Sequence, residues 1–500
     1  MLSISLIDVG LAGAGLYLVN RFLTKSSAPV PPGPSGWPII GNLLDMPTGD
    51  PWITYSNWAK QYGNITSVEL FGRRFIFLNS PKVAADLFDK KGAMYADRPQ
   101  LPMACGLSGW GDALIFLSPG DKFRRYRKNI SRVIGKGPVR AFHSAEEVET
   151  RRFLRAVLKS PNDLMAHIRR TAGAVILKIS HGYQVQDDND PFVNRAEKGM
   201  TLFGQLIKPG NFLVDIIPAL KYVPDWFPGA GFKQFAKASE EVVAELVEIP
   251  HEFVKEQMAA GVAPNSLTSH LLGDDDLDAE QEHSIKWSAF SMYTGKYDRN
   301  TVSSIYGFFL AMTLYPEVQA KAQAELDSVV GPDRLPTLED LPALPYIAAL
   351  CKEVLRWNVV TPLTSYHVST QDDIYEGYLI PKGSYVFANI WHLLNDEQTY
   401  PNPKEFNPER FMGPNPQADP RDPCFGYGRR ICPGLHLAQA SIFISCAMSL
   451  AVFNIRKAVE NGVEITPEVK YGDGAICHPL PFKCSITPRS AKAEGLIVAG

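Results

Sequence analysis

One ten-residue run, FGYGRRICPG at positions 425–434, constrains this chain more than any other stretch. It sets a single cysteine, Cys432, in a glycine-rich turn just ahead of an apolar segment of helical character. Gly428 and Gly434 carry no Cβ, so the backbone leaves close access to whatever the sulfur binds. Pro433 falls where a first helical residue would sit, and its missing N–H is not needed there. A helix N-terminus favours an anion, which predisposes Cys432 to be a thiolate. Arg430 adds a cation two residues upstream.

The remaining cysteines do not compete for this role. They are Cys105, Cys351, Cys424, Cys446, Cys477 and Cys484, sparse and irregular, with no CxxC. Neither a disulfide scaffold nor a zinc site is indicated, and a reducing compartment fits. A composition 45% hydrophobic and 11% aromatic supports a large core, and a formal charge of −3 gives no reason to expect nucleic acid as a partner. Five hundred residues suggest about three domains by length alone. The motifs below are nevertheless scattered from Pro31 to Cys432, as in one catalytic domain spanning residues 37–500.

Residues 2–23 are apolar apart from a few small residues, Asp8 and Asn20. That length spans a bilayer with some tilt. Arg21 and Lys25 follow the run and no basic residue precedes it, so residues 1–25 read as a retained membrane anchor with the body in the cytoplasm. Residues 26–36, SSAPVPPGPSG, form a proline-rich hinge that is extended and semi-rigid. Residues 64–78 alternate like a β-hairpin with a Phe-Gly turn. Long helical patterns dominate from about Ala84, with an acidic loop, GDDDLD, at 273–278. A second strand-rich patch covers 373–387, with turns at Gly377 and at Pro381, Lys382 and Gly383. Mostly helical with a small, sequence-distant β region is an α+β pattern.

A thiolate with an aromatic on one side and an arginine beside it suits a haem iron and a haem propionate. Phe425, Gly428, Arg430, Cys432 and Gly434 fill every fixed position of FxxGxRxCxG, and on these residues the chain resembles the cytochrome P-450 family. The resemblance covers roughly residues 25–485 and implies that family's fold, with an N-terminal transmembrane helix. It also implies haem b with Cys432 as its thiolate ligand. Glu353 and Arg356 form an ExxR pair on one helix face. With Arg410 in PERF, they resemble the family's Glu-Arg-Arg triad, a buried network behind the cysteine loop. Arg124 and Arg127 lie where relatives have Trp-x-x-x-Arg reaching the propionates, with Phe123 replacing the tryptophan and losing its N–H. His367 matches a position that contacts a propionate in fungal relatives. Lys122, Arg124, Arg125, Arg127, Lys128, Arg132, Lys136 and Arg140 are either a solvated helix face or a docking surface for an acidic electron donor.

The central helix departs from the family pattern. Relatives carry [AG]GxDT[TS], whose acid and threonine manage proton delivery; this chain reads TGKYDRNTV at 294–302. Anchored downstream, Arg299 takes the acid place and Asn300 the threonine place. Anchored upstream on Gly295, Asp298 keeps the acid place and Arg299 replaces the threonine. One extra residue separates these registers, and a π-bulge absorbs such an insertion. Asn300 is the better surrogate because its amide both donates to and accepts from water. Asp298, Arg299, Asn300 and Thr301 are therefore the catalytic candidates. Lys296, Asp298 and Arg299 partly neutralise one another or bind an acidic substrate, unless proton delivery no longer matters or the active site is degraded.

The resemblance implies a monomeric haem-thiolate oxidoreductase of the endoplasmic reticulum membrane, single-pass. It would hydroxylate a lipophilic small molecule of fungal secondary metabolism with O2 and NADPH through cytochrome P-450 reductase, with cytochrome b5 a second donor. The alternatives are an oxidase of the same fold that couples, cyclises or rearranges without inserting oxygen, and a non-catalytic haem protein that binds or senses ligands.

Overall fold

The computed structural model describes residues 28–499 apart from 187, 188, 209, 275, 297–299 and 473. The expected anchor and the candidates Asp298 and Arg299 lie outside the described residues. From Pro29 onward the proline-rich stretch is docked on the body rather than free-standing. The Pro31 carbonyl accepts from Ser67 Oγ at 2.6 Å, that of Pro32 from the Ser67 N–H at 2.8 Å, and that of Pro29 from the Leu379 N–H at 2.7 Å. Gly33 runs so close to Ser67 that a Cβ would stand 2.0 Å from its carbonyl oxygen.

Eleven helices of twelve or more residues are described: α1 (Pro51–Tyr62), α2 (Asp121–Ile134), α3 (His143–Lys159), α4 (Leu164–His181), α5 (Pro191–Leu206), α6 (Gly231–Ala259), α7 (Ala279–Lys296), α8 (Asn300–Leu314), α9 (Pro316–Val329), α10 (Pro345–Trp357) and α11 (Leu435–Val452). The described strands are β1 (Ile65–Leu70), β2 (Arg73–Leu78), β3 (His367–Val368), β4 (Asp373–Tyr375), β5 (Tyr378–Ile380), β6 (Tyr385–Ala388), β7 (Phe453–Glu460), β8 (Val463–Ile465) and β9 (Cys484–Pro488). They form sheets ordered β1-β2-β6-β3, β4-β5 and β8-β7-β9.

The two expected β regions meet in the first sheet. Phe71 and Gly72 both take positive φ, 48° and 78°, the mirror turn that suits a two-residue hairpin. Glu376 and Gly377 close β4 onto β5 in the same way, at 49° and 83°. β6 then joins β2 in parallel, pairing Phe75 with Tyr385 and Leu78 with Ala388. This long-range parallel pairing carries no local signal in sequence.

α8 is buried on every side: each residue from Thr301 to Thr313 is buried. It packs on α4, α11 and β7, while α10 packs on α11 and on the Pro408–Phe411 turn. A helix apolar all round belongs in a core, and α8 and α11 are the two that build this one. α11 is long and apolar enough to cross a membrane, yet most of it is buried inside the body. The N-terminal parts of α8 and α11 bring Asn300 and Thr301 to one cleft with Cys424 and Phe425.

Candidate functional site

The cysteine loop is held by close backbone approaches. Cys432 N–H donates to Phe425 O at 2.8 Å, closing the turn. Gly428 has φ +50°, and a Cβ there would lie 2.3 Å from Phe88 O. Its glycine therefore answers to the neighbouring chain rather than to access at the sulfur. α11 starts at Leu435 with Gly434 as N-cap, so Pro433 precedes the helix instead of opening it. The Gly434 and Leu435 N–H groups and the Arg127 charge favour the Cys432 thiolate, but burial outweighs them and pushes its thiol up. The loop alone thus keeps a thiol; a thiolate needs one more positive charge facing the sulfur.

Three arginines converge beside the loop. Arg430 donates from Nε to Ala96 O at 2.7 Å and from Nη2 to Leu117 O at 2.5 Å. Its guanidinium lies 4.0 Å from the Phe123 ring centroid, so the residue standing where relatives have tryptophan supports Arg430 by a cation–π contact. Arg127 donates to Ile431 O at 2.6 Å. Arg98 donates to Ser365 O at 2.8 Å and also to Tyr366 O, while its Nε is sealed from solvent without a partner. Burial, then the Arg430 charge, brings Arg98 down to about 9; burial, with Arg127 nearby, brings Arg430 down to about 10. Asp97 is the one carboxylate that offsets both.

His367 stands with them. Its Nδ1–H donates to Tyr95 O at 2.7 Å, and its ring stacks on Phe88 at 4.1 Å. Burial, then the Arg98 and Arg430 charges, holds it neutral, well below its ordinary value. Arg124 is placed differently from the expectation: it is exposed and paired with Asp121, whereas Arg127 donates to Ile431 O of the loop. Arg98 was not singled out from the sequence; an isolated Arg-Pro in a loop gives no signal without a partner to compare.

Behind the loop, Glu353 takes two bonds from Arg356, Nε to Oε2 and Nη2 to Oε1, each 2.7 Å. The Asn407 N–H donates to the same carboxylate at 2.8 Å, and Arg410 Nε lies 3.4 Å from it. Glu353 and Arg356 have no exposed side-chain surface. Arg356 also donates to Leu394 O, Pro403 O and Glu405 O, and Arg410 to Asn402 O at 2.7 Å. Burial pushes the Glu353 carboxyl up, and Arg356 opposes it.

A narrow cleft of about 30 Å³ is lined by Asn300, Thr301 and Ser304 of α8, by Val359 to Thr361, and by Cys424, Phe425 and Ala438 of the cysteine-loop side. Asn300 Oδ1 is sealed and has no partner. A planar group with two carboxylates and a cationic centre would suit these side chains: Arg98, Arg127 and Arg430 would take the carboxylates, and the Cys432 sulfur would serve the centre. Haem is such a group.

The comparisons agree. Residues 31–486 match the Cytochrome P450 family. The chain is 49% identical to Cytochrome P450 monooxygenase 208 of Postia placenta, over 97% of this chain and 95% of that protein. It is 45% identical to Cytochrome P450 monooxygenase claR of Ampulloclitocybe clavipes, over 99% and 93%. It is 39% identical to Tryptamine 4-monooxygenase of Psilocybe cyanescens, over 97% of each. The chain belongs to the cytochrome P450 family and is a haem-thiolate monooxygenase.

Proposed function

We propose that Cys432 is the axial ligand of haem b and that Arg98, Arg127, Arg430 and His367 hold its propionates. Phe425, Gly428 and Gly434 shape the loop around the sulfur. Glu353, Arg356 and Arg410 fix the polypeptide behind it. Haem, once bound, supplies the oxygen activation that this family uses. Asn300, with Thr301 beside it, orders water and passes protons from the cleft wall, and Phe425 and Ala438 exclude bulk water from the opposite side. The observation that carries this reading is the single cleft lined by both Asn300-Thr301 and Phe425.

The substrate is a lipophilic small molecule of fungal secondary metabolism, oxidised with O2 and NADPH. Cytochrome P-450 reductase is the donor, with cytochrome b5 as a second. Lys128, Lys136, Arg140 and Arg429 support a docking face for an acidic donor: they are exposed and make no ion pair among the described residues. Lys122, Arg124, Arg125 and Arg132 are already paired with Asp112, Asp121, Glu280 and Asp274, which weakens their share. The protein is a monomer held on the endoplasmic reticulum by residues 1–25. Exposed Trp37, Ile39 and Leu44, and Leu213, Tyr222 and Trp226 between α5 and α6, support further contact with the bilayer.

Labelled O2 with NADPH and reductase tests the reading. Label in the product supports hydroxylation. NADPH consumed without label points to coupling or rearrangement, which the replacement of the usual alcohol by Asn300 favours. No NADPH consumption overturns the enzyme reading.

A further inference from the structure

A second cavity, of about 250 Å³, opens where the α5–α6 connection meets the first sheet. Arg73, Arg98, Gln100, Asp215 and Tyr385 line it. Two of its three charged groups are committed to protein partners. The Arg73 guanidinium lies 4.7 Å from the Tyr385 ring centroid and donates to the Tyr385 hydroxyl. Arg98 turns to the Ser365 and Tyr366 carbonyls.

Asp215 differs. Its Oδ1 accepts one bond, from the Met103 N–H at 2.8 Å. Its carboxylate makes no ion pair among the described residues, although burial already pushes it up to about 6. A half-buried carboxylate that pays desolvation without a cation is stabilised by any cation that reaches its free oxygen. Gln100 donates through Nε2 to Phe116 O at 3.0 Å, and no side chain among the described residues donates to Asp215. The surrounding connection carries exposed Leu213, Ile216 and Ile217, which suit a ligand whose remaining body is apolar.

We propose that Asp215 forms a subsite, in this second cavity, for the protonated amine of an amphipathic substrate. The carboxylate takes the cationic head, and the apolar body lies against the α5–α6 connection and the sheet edge. Arg73 is held on Tyr385, which leaves Asp215 as the cavity charge without a partner ion among the described residues. This rests on the monooxygenase reading and names the substrate class: lipophilic amines rather than lipophilic acids.

The test uses the full-length haem-bound protein and three eight-carbon probes: octyltrimethylammonium, octanol and octanoate. A quaternary nitrogen has no lone pair, so it cannot ligate iron and confuse the readout. Binding is measured calorimetrically without NADPH, and oxygenation of each probe separately with NADPH and reductase. The parent should bind the ammonium about tenfold or more tightly than octanol, as a charge-assisted contact in a desolvated site predicts. Asp215→Asn retains an acceptor for the Met103 N–H, so the fold should hold. It should remove the ammonium preference and leave octanol binding unchanged. Arg73→Gln should not weaken the ammonium. An ammonium preference that survives Asp215→Asn, or a parent that prefers octanoate, overturns the proposal. If Asp215→Asn abolishes the preference but no probe is oxygenated, the subsite stands and the monooxygenase reading fails. If oxygenation proceeds and Asp215→Asn changes nothing, the reverse holds.

Discussion

Replacing Glu353 by Gln removes the one anion from a site that holds two arginines. Arg356 then keeps three carbonyl acceptors, Leu394 O at 3.1 Å, Pro403 O at 2.8 Å and Glu405 O at 3.0 Å, but no counter-charge. Arg410 keeps the Asn402 and Pro401 carbonyls. Breaking a buried pair from one side costs about 3–5 kcal/mol, because the remaining charge stays desolvated. Unfolding entropy of about 2 cal/mol/K per residue converts this to roughly 3–5 °C of Tm for a chain of this length. The loss should be uneven. The network ties α10 to residues 401–410, which lead into the cysteine loop, so haem absorbance should fall before helical circular dichroism does. The double variant Glu353→Gln with Arg356→Met should lose less than the sum of the singles, because it leaves no orphaned cation. Thermal melts read at the haem band and in the far ultraviolet check this. Equal melts for parent and Glu353→Gln would refute the counter-charge argument. Strictly additive losses would refute the coupling.

Cys432→Ala should abolish the thiolate signature of the reduced carbonyl complex, while Cys424→Ala and Cys446→Ala retain it. Asn300→Ala should leak reducing equivalents as peroxide at normal haem content, with about 10²–10⁴-fold at stake in a full proton relay. Asn300→Thr should restore product per NADPH, and unchanged coupling in both would remove Asn300 from the relay. Gly307→Ala places a Cβ 2.6 Å from Asn358 Cγ. Overpacking of that kind costs about 1–3 kcal/mol, and adding Asn358→Ala should recover part of it in a denaturant titration. His181 is buried and neutral: burial, then His251, lowers it from 6.5 to about 3. As pH falls from 6.5 toward 3 the unfolded chain takes up the proton first. Stability should then drop by up to ~1.4 kcal/mol per pH unit, and His181→Gln should flatten that slope.

The cysteine loop was legible because its constraints are local. A φ that needs glycine, a sulfur and an arginine lie within ten residues. The triad was legible for a similar reason: Glu353 and Arg356 share one helix face, and Arg410 sits in a recognisable turn. The hairpin at 64–78 showed in its alternation and its Phe-Gly turn, and the strand-rich patch at 373–387 in its turns at Gly377 and at Pro381 to Gly383. What the sequence could not display is non-local. Arg98 joins the cationic cluster only because Asp97 pairs with Val368 and the sheet brings His367 beside Phe88. Arg124 and Arg127 are indistinguishable in a basic run, and only the packing of α2 sends one to Asp121 and the other to Ile431. The docking of Pro29 to Pro32 depends on β1 and β5, which neighbouring prolines do not announce.

The one-residue ambiguity of the central helix is narrowed from its downstream side. Ser303 Oγ donates to Cys477 O at 2.6 Å, and the Cys477 N–H donates to Val360 O at 2.7 Å. Asn358, fully buried, donates to Ser303 O at 2.9 Å and to Ser303 Oγ at 3.2 Å. Gly307, one turn on, leaves the space that the Asn358 amide fills. These contacts pin α8 to the segment that lines the cleft, Val359 to Thr361, so its rotation about its own axis is set from Ser303 onward. With that rotation set, Asn300, Thr301 and Ser304 face the cleft. Helix spacing leaves no second choice, because Asn300 and Ser304 are four residues apart and Ser304 Oγ donates back to Asn300 O at 2.9 Å. These contacts support our proposal that Asn300 occupies the place that the downstream register gives to the alcohol.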